Sequence, residues 1–124
     1  MKRIIGFGDS ITEGKTISAE TGWVSQLARL LDAGRGPGTY EVVNAGRGGH
    51  TSREGWQRFD ADVRAKLPAT VLIEFGGNDA THDPARHVPP EEFEAHLRAM
   101  IEAVTSGGGR PVLMTFPPVV NEWH

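Results

Sequence analysis

The chain is 124 residues long, carries a formal net charge of −3 and contains no cysteine. That length fits one compact domain and not two, the lack of any basic run argues against a nucleic-acid partner, and a disulfide framework, a Cys-based metal site and a Cys nucleophile are all excluded. Met1-Lys2-Arg3 leads into only Ile4-Ile5 before Gly6, which is no signal-peptide core, and no apolar run approaches a membrane span, so the chain reads as cytoplasmic, with secretion left open.

Arg3 to Phe7 is short, apolar and glycine-terminated, as a buried strand of a parallel sheet is. It runs into "GFGDSITEGKT", Gly6 to Thr16, which has the glycines of a nucleotide-binding loop but not their spacing. A P-loop needs four residues between its glycines; five separate Gly8 from Gly14, Asp9 stands at the alternative position, and Asp9 with Glu13 would repel a polyphosphate. The dinucleotide fingerprint fails too, because Ile11 stands where its third glycine belongs. The Lys15-Thr16 pair is coincidental on this reading. What is left is a Gly-Asp-Ser step leaving a strand.

Trp23, Val24, Leu27, Leu30 and Leu31 recur at helical spacing up to Asp32-Ala33-Gly34 and predict a helix with one buried face. Tyr40 to Val43 predicts a second strand, entering the loop "NAGRGGH" from Asn44 to His50. Thr51 and Glu54 form a capping box, after which Trp56, Phe59, Val63 and Leu67 predict one helix running to Pro68. Val71 to Phe75 predicts a third strand, stopped by Gly76-Gly77-Asn78-Asp79. Phe93, Leu97, Met100, Ile101 and Val104 predict an amphipathic helix ending at Gly107-Gly108-Gly109, its Glu91, Glu92 and Glu94 solvated, and Val112 to Phe116 predicts the fourth strand.

Strands alternating with single helices imply α/β architecture: a three-layer α/β/α sandwich on a parallel sheet. With the flavodoxin-like strand order 2-1-3-4, the first three strands are neighbours. Their loops, carrying Gly-Asp-Ser, Gly-Arg-Gly-Gly-His and Gly-Gly-Asn-Asp, then meet at the carboxyl edge of the sheet, where such folds bind ligands.

Acyl transfer needs a nucleophile, a base and donors aimed at the oxyanion. Ser10 at a strand-to-helix turn supplies the first. Its own N–H, a backbone N–H at Gly48 or Gly49 and the Asn78 side-chain amide are the candidate donors. Asp9 is expected to accept loop N–H groups and fix the turn.

"GFGDSITEG", "NAGRGGHTS" and "IEFGGNDA" resemble, in order, three sequence blocks of the SGNH, or GDSL-type, hydrolase superfamily of serine esterases and lipases. The resemblance covers nearly the whole chain. It implies a flavodoxin-like sandwich, Ser10 as nucleophile, and Ser10, Gly49 and Asn78 as oxyanion hole. It further implies a covalent acyl-enzyme mechanism on a small carboxylic ester without cofactor or metal. Acetylated sugars, short acyl esters, lysophospholipids and thioesters lie in the family's range.

The family's catalytic Asp-x-x-His block follows a fifth strand, and nothing after Phe116 resembles it. The 124 residues are therefore expected to form a single domain that is the N-terminal portion of a longer chain, lacking roughly 50 residues or more. Asp79 and His82 also read Asp-x-x-His, but in the wrong block. His50, next to Gly49, is a candidate pocket residue; His87 and His96 read as surface positions, His124 is terminal, and Trp23 and Trp56 read as core. The rival to an esterase is a non-catalytic or truncated domain that binds acyl or sugar ligands, or needs a complementary C-terminal segment. A fourth strand left as an open edge should make the chain unstable alone, or stable only when a C-terminal fragment, a second chain or a swapped copy covers it. Size-exclusion and esterase measurements on the purified chain test this: a folded, active monomer free of other polypeptide would refute it.

Overall fold

The computed structural model describes residues 2–14 and 21–115. Lys15-Thr16, Ser18, Phe116, Trp123 and His124 lie outside the described residues. Four strands, β1 (Lys2–Gly8), β2 (Tyr40–Gly46), β3 (Thr70–Glu74) and β4 (Arg110–Leu113), form one sheet in the order β2-β1-β3-β4 with every pairing parallel. The helices are α1 (Ser10–Glu13), α2 (Trp23–Arg35), α3 (Ser52–Gln57), α4 (Phe59–Asp62) and α5 (Pro90–Ser106), with a 3₁₀ turn at Arg64–Lys66. None is long and apolar enough to cross a membrane among the described residues.

The strand pleat divides the sheet into two unlike faces. Ile5, Phe7, Val71 and Ile73 point to the side of α4 and α5 and are sealed there with Phe59, Val63, Met100 and Val104. Phe7 is the hub, with edge-on ring contacts to Phe59 at 5.9 Å and Phe75 at 5.3 Å between centroids. Full burial of such side chains contributes about 1.5–3 kcal/mol each, the main favourable term here. The opposite face receives α2, whose Trp23 and Val24 pack over Gly6.

Several local expectations change. The apolar stripe on α2 is only partly used: Val24 is buried, Leu27 and Leu31 are half-buried, and Leu30 is 70% exposed. Trp23 and Trp56 are likewise half-buried rather than core. The single helix expected from Thr51 to Pro68 is broken into α3, α4 and the 3₁₀ turn, since Arg58 has left helical geometry at φ −100°, ψ 5° and turned its side chain inward. The capping box at its start is present, with Glu54 N–H donating to Thr51 Oγ1 and Thr51 N–H to Glu54 Oε1. The fourth strand lies earlier than expected, although Met114 N–H still donates to the Ile73 carbonyl at 2.9 Å. Glu92 is not a freely solvated acid; the Arg53 guanidinium and then His96 hold its carboxyl down at about 2.

Candidate active site

The carboxyl ends of β1, β2 and β3 lie level, with Gly8 opposite Gly46 on one side and Glu74 on the other. Two of these three positions lack side chains, and α1 lies across the gap. A Cβ on Gly46 would stand 2.2 Å from the Glu13 nitrogen, and one on Gly8 would stand 2.4 Å from the Glu74 carbonyl oxygen and 2.6 Å from Thr12 Oγ1. The turn therefore sits directly on the sheet end.

Asp9 is 1% exposed and caps α1, its Oδ1 accepting the Ile11 N–H at 3.0 Å. Gly14, at φ 73°, ends the helix after one turn. Asn44 ties α1 to β2 by donating to the Thr12 carbonyl at 3.1 Å, and Glu13 Oε1 accepts the Gly48 N–H at 3.0 Å. These bonds leave Ser10 half-buried at the rim of a cavity of about 700 Å³. Asn78 lines the same cavity, with Phe75, Phe93 and Leu97 among its apolar walls. Its Nδ2 donates to the His50 carbonyl at 3.1 Å, which fixes the amide's orientation.

The remaining expected residues are distributed differently. Gly49 adopts φ +79° on the loop after β2 and does not line the cavity; its carbonyl accepts from Arg86. Gly48 has its N–H occupied by Glu13, so of the two glycines weighed as donors Gly49 is the one whose N–H has no acceptor among the described residues. Asp79 is buried and turned away from His82: its carboxylate accepts the Ser52 N–H and hydroxyl, joining the loop after β3 to the start of α3. His82 is exposed and does not line the cavity, so the Asp79–His82 pairing considered as a substitute dyad is not formed. His50 does not line it either. His87 meets the Thr81 carbonyl and His96 meets Glu92. Among the described residues no group of three or more His, Asp or Glu is placed to hold a metal ion.

Arg58 is a residue bracing the candidate site that sequence reasoning missed. Its guanidinium donates to the Gly8 and Ala45 carbonyls at 2.8 Å each, to Asp62 at 2.9 Å and to His50 Nδ1 at 2.9 Å, while lying 4.6 Å over the Phe7 ring. One side chain thus gathers the ends of β1 and β2 and the loop that orients Asn78. An arginine in an amphipathic segment ordinarily faces water, and only its place one residue before the buried Phe59 hints otherwise. Burial, and then the charge of Arg58, lower the His50 pKa below its ordinary 6.5, in keeping with a neutral ring accepting at Nδ1.

The sequence profile of the GDSL-like Lipase/Acylhydrolase family matches residues 7–124. The chain is 35% identical over 108 residues to "Esterase TesA" of Pseudomonas aeruginosa, covering 86% of this chain and 50% of that protein. It is 33% identical over 107 residues to "Thioesterase 1/protease 1/lysophospholipase L1" of Escherichia coli K12, covering 86% and 47%. Among solved structures, Axe2, an acetylxylan esterase from Geobacillus stearothermophilus, superposes with a TM-score of 0.80 at 30% identity, covering 91% of this chain and 58% of that one. The chain spans about half the length of the curated relatives it matches.

Replacing Arg58 with Met keeps much of the side chain's volume and deletes every one of its polar bonds. Unfolding free energy should fall by about 3 kcal/mol in denaturant titrations, the scale for breaking a largely buried charged network. The His50 pKa, followed by NMR, should rise. An unchanged unfolding midpoint would show the guanidinium bonds to be dispensable.

Proposed function

The chain belongs to the GDSL-like lipase/acylhydrolase family, and from that premise we propose that it is the nucleophile-bearing part of a serine ester hydrolase working through a covalent acyl-enzyme. The observation that carries this reading is that Ser10, at the end of β1, and Asn78, just beyond β3, line one cavity with apolar walls. In this reading the Ser10 hydroxyl attacks the ester carbonyl. The developing oxyanion is met by the Ser10 N–H, the Asn78 amide hydrogen not used by His50, and the Gly49 N–H from the loop beside it.

The walls suit an acyl chain. Phe75, Phe93, Leu97 and Met114 favour the hydrocarbon of a short or medium carboxylic ester, while the open rim near Ser10 accommodates varied alcohol groups. Esters of acetylated sugars, lysophospholipids and acyl thioesters share that carbonyl chemistry. No cofactor is required.

Activation of Ser10 needs a base, and His50, His82, His87 and His96 all stand outside the cavity lining. We infer that the base and its aspartate belong to a segment that adds to the single domain along β4. Leu113 on that strand is 50% exposed and lines the cavity, so a segment laid there would reach the site.

A fluorophosphonate probe should label Ser10 and not Ser52, which is fully buried against Asp79. Labelling that survives Ser10→Ala would refute the assignment. With p-nitrophenyl acetate, Asn78→Ala should lower kcat by on the order of 10²-fold with KM less affected. A raised KM at unchanged kcat would make Asn78 a ground-state contact. In a protein that includes the base-bearing segment, wild-type turnover no faster than that of Ser10→Ala would favour a ligand-binding domain without catalysis.

A further inference from the structure

Beneath the Ser10 turn two carboxyl groups meet, with no cation paired to either among the described residues. Asp9 and Glu74 are each 1% exposed, and neither belongs to any ion pair among the described residues. Glu74 Oε1 accepts the Thr12 hydroxyl at 2.9 Å, while the Asp9 carboxyl faces the Glu74 carboxyl within hydrogen-bonding reach. Glu74 Oε2 is buried and has no donor among the described residues. Two ionised carboxyls in this dry contact repel each other; one proton between them converts repulsion into a charge-assisted bond.

We propose that Glu74 is a positioning residue: it shares one buried proton with Asp9 and thereby holds the Asp9 carboxylate on the Ile11 N–H, fixing the turn that presents Ser10 to the cavity. Its link to catalysis rests on the reading of Ser10 as nucleophile; the shared proton rests on the contacts alone.

The groups that act on Glu74 most all belong to the Asp9–Thr12 turn. Burial first, then the hydrogen bond and charge of Asp9, push its carboxyl up from 4.5 to about 8, with the Thr12 hydroxyl and the Asp9 N–H pulling weakly the other way. The folded state therefore binds a proton more tightly than the unfolded chain. Stability associated with that proton is fully present below the unfolded value of 4.5 and is lost as pH rises toward about 8.

Glu74→Gln keeps a donor for Asp9 and cannot ionise, whereas Glu74→Leu keeps the bulk and loses the donor. In carboxyl-detected NMR of the full chain, the resonance missing from Glu74→Gln should titrate near 8. Titration in the ordinary glutamate range would overturn the shared proton. As pH rises across that window, stability of the Gln variant should improve relative to wild type; a pH-independent difference would also count against the pair.

The positioning role is read at the Ile11 amide, whose hydrogen exchange should quicken in Glu74→Leu and stay near wild type in Glu74→Gln. Equal exchange in both variants would leave Glu74 as mere filling and overturn the role. In ester hydrolysis, the Leu variant should lose on the order of tenfold in kcat at constant KM, with most of it recovered by Gln. Equal kcat losses in both variants would again overturn it. Hydrolysis absent even from a wild-type protein that includes the base-bearing segment would instead sink the assignment of Ser10, while the titration and the Ile11 exchange still decide the role of Glu74.

Discussion

The close approach of a one-turn helix to the end of the sheet is the constraint on which the rest of this structure depends. It exists because Gly8 and Gly46, paired across β1 and β2, present no side chains upward, and any Cβ there would overlap Thr12, Glu13 or Glu74. With that space free, α1 lies down on the strand ends rather than standing away from them, and Asn44 and Glu13 reach across to bind neighbouring backbone. Ser10 then has its position set by main chain on several sides. A serine on a longer and freer loop would have to be ordered by its ligand at an entropic cost.

Charge is arranged around this seat in two separate layers. On the face shared with α4, the Arg58 guanidinium gathers the Gly8 and Ala45 carbonyls over the Phe7 ring, so its positive charge is spent on fixed dipoles and on Asp62. Glu74, which follows Ile73 in the pleat, stands on the other face beside Gly8 and meets Asp9 and Thr12 there. The sheet keeps the cation and the carboxyls apart. Were they in contact, an ion pair would replace both the carbonyl clamp and the carboxyl contact, and the turn would be held by neither.

Much of this was legible in the sequence because it follows from period and punctuation. Four short apolar runs, the first and third stopped by glycine, with helical periodicity between them, give the parallel sheet, and the three polar loops meet because the order is β2-β1-β3-β4. The turn-fixing role of Asp9 was legible as well, since a carboxylate at a strand-to-helix step has backbone N–H groups within reach. What escaped depended on long-range contacts. Arg58 breaks an apparently continuous helix for the sake of carbonyls on β1 and β2, and Leu30 sits at a correct helical position with nothing above it among the described residues. Asp79 and His82 share a short motif yet diverge, because the Ser52 N–H claims the aspartate from 27 positions away. Glu74 left a trace that went unread: an acid inside "VLIEF", a run otherwise suited to a strand buried on both sides.

The Asn78 amide is aligned by the main-chain carbonyl of His50, not by its imidazole. Genetic change acts on side chains, and an acceptor made of backbone survives every substitution at position 50 that preserves the loop's path. The imidazole there is thereby released from aligning the amide directly and serves instead as an acceptor for Arg58. A substitution at position 50 that kept the loop's path would therefore leave the acceptor for Asn78 in place even as it removed the partner of Arg58.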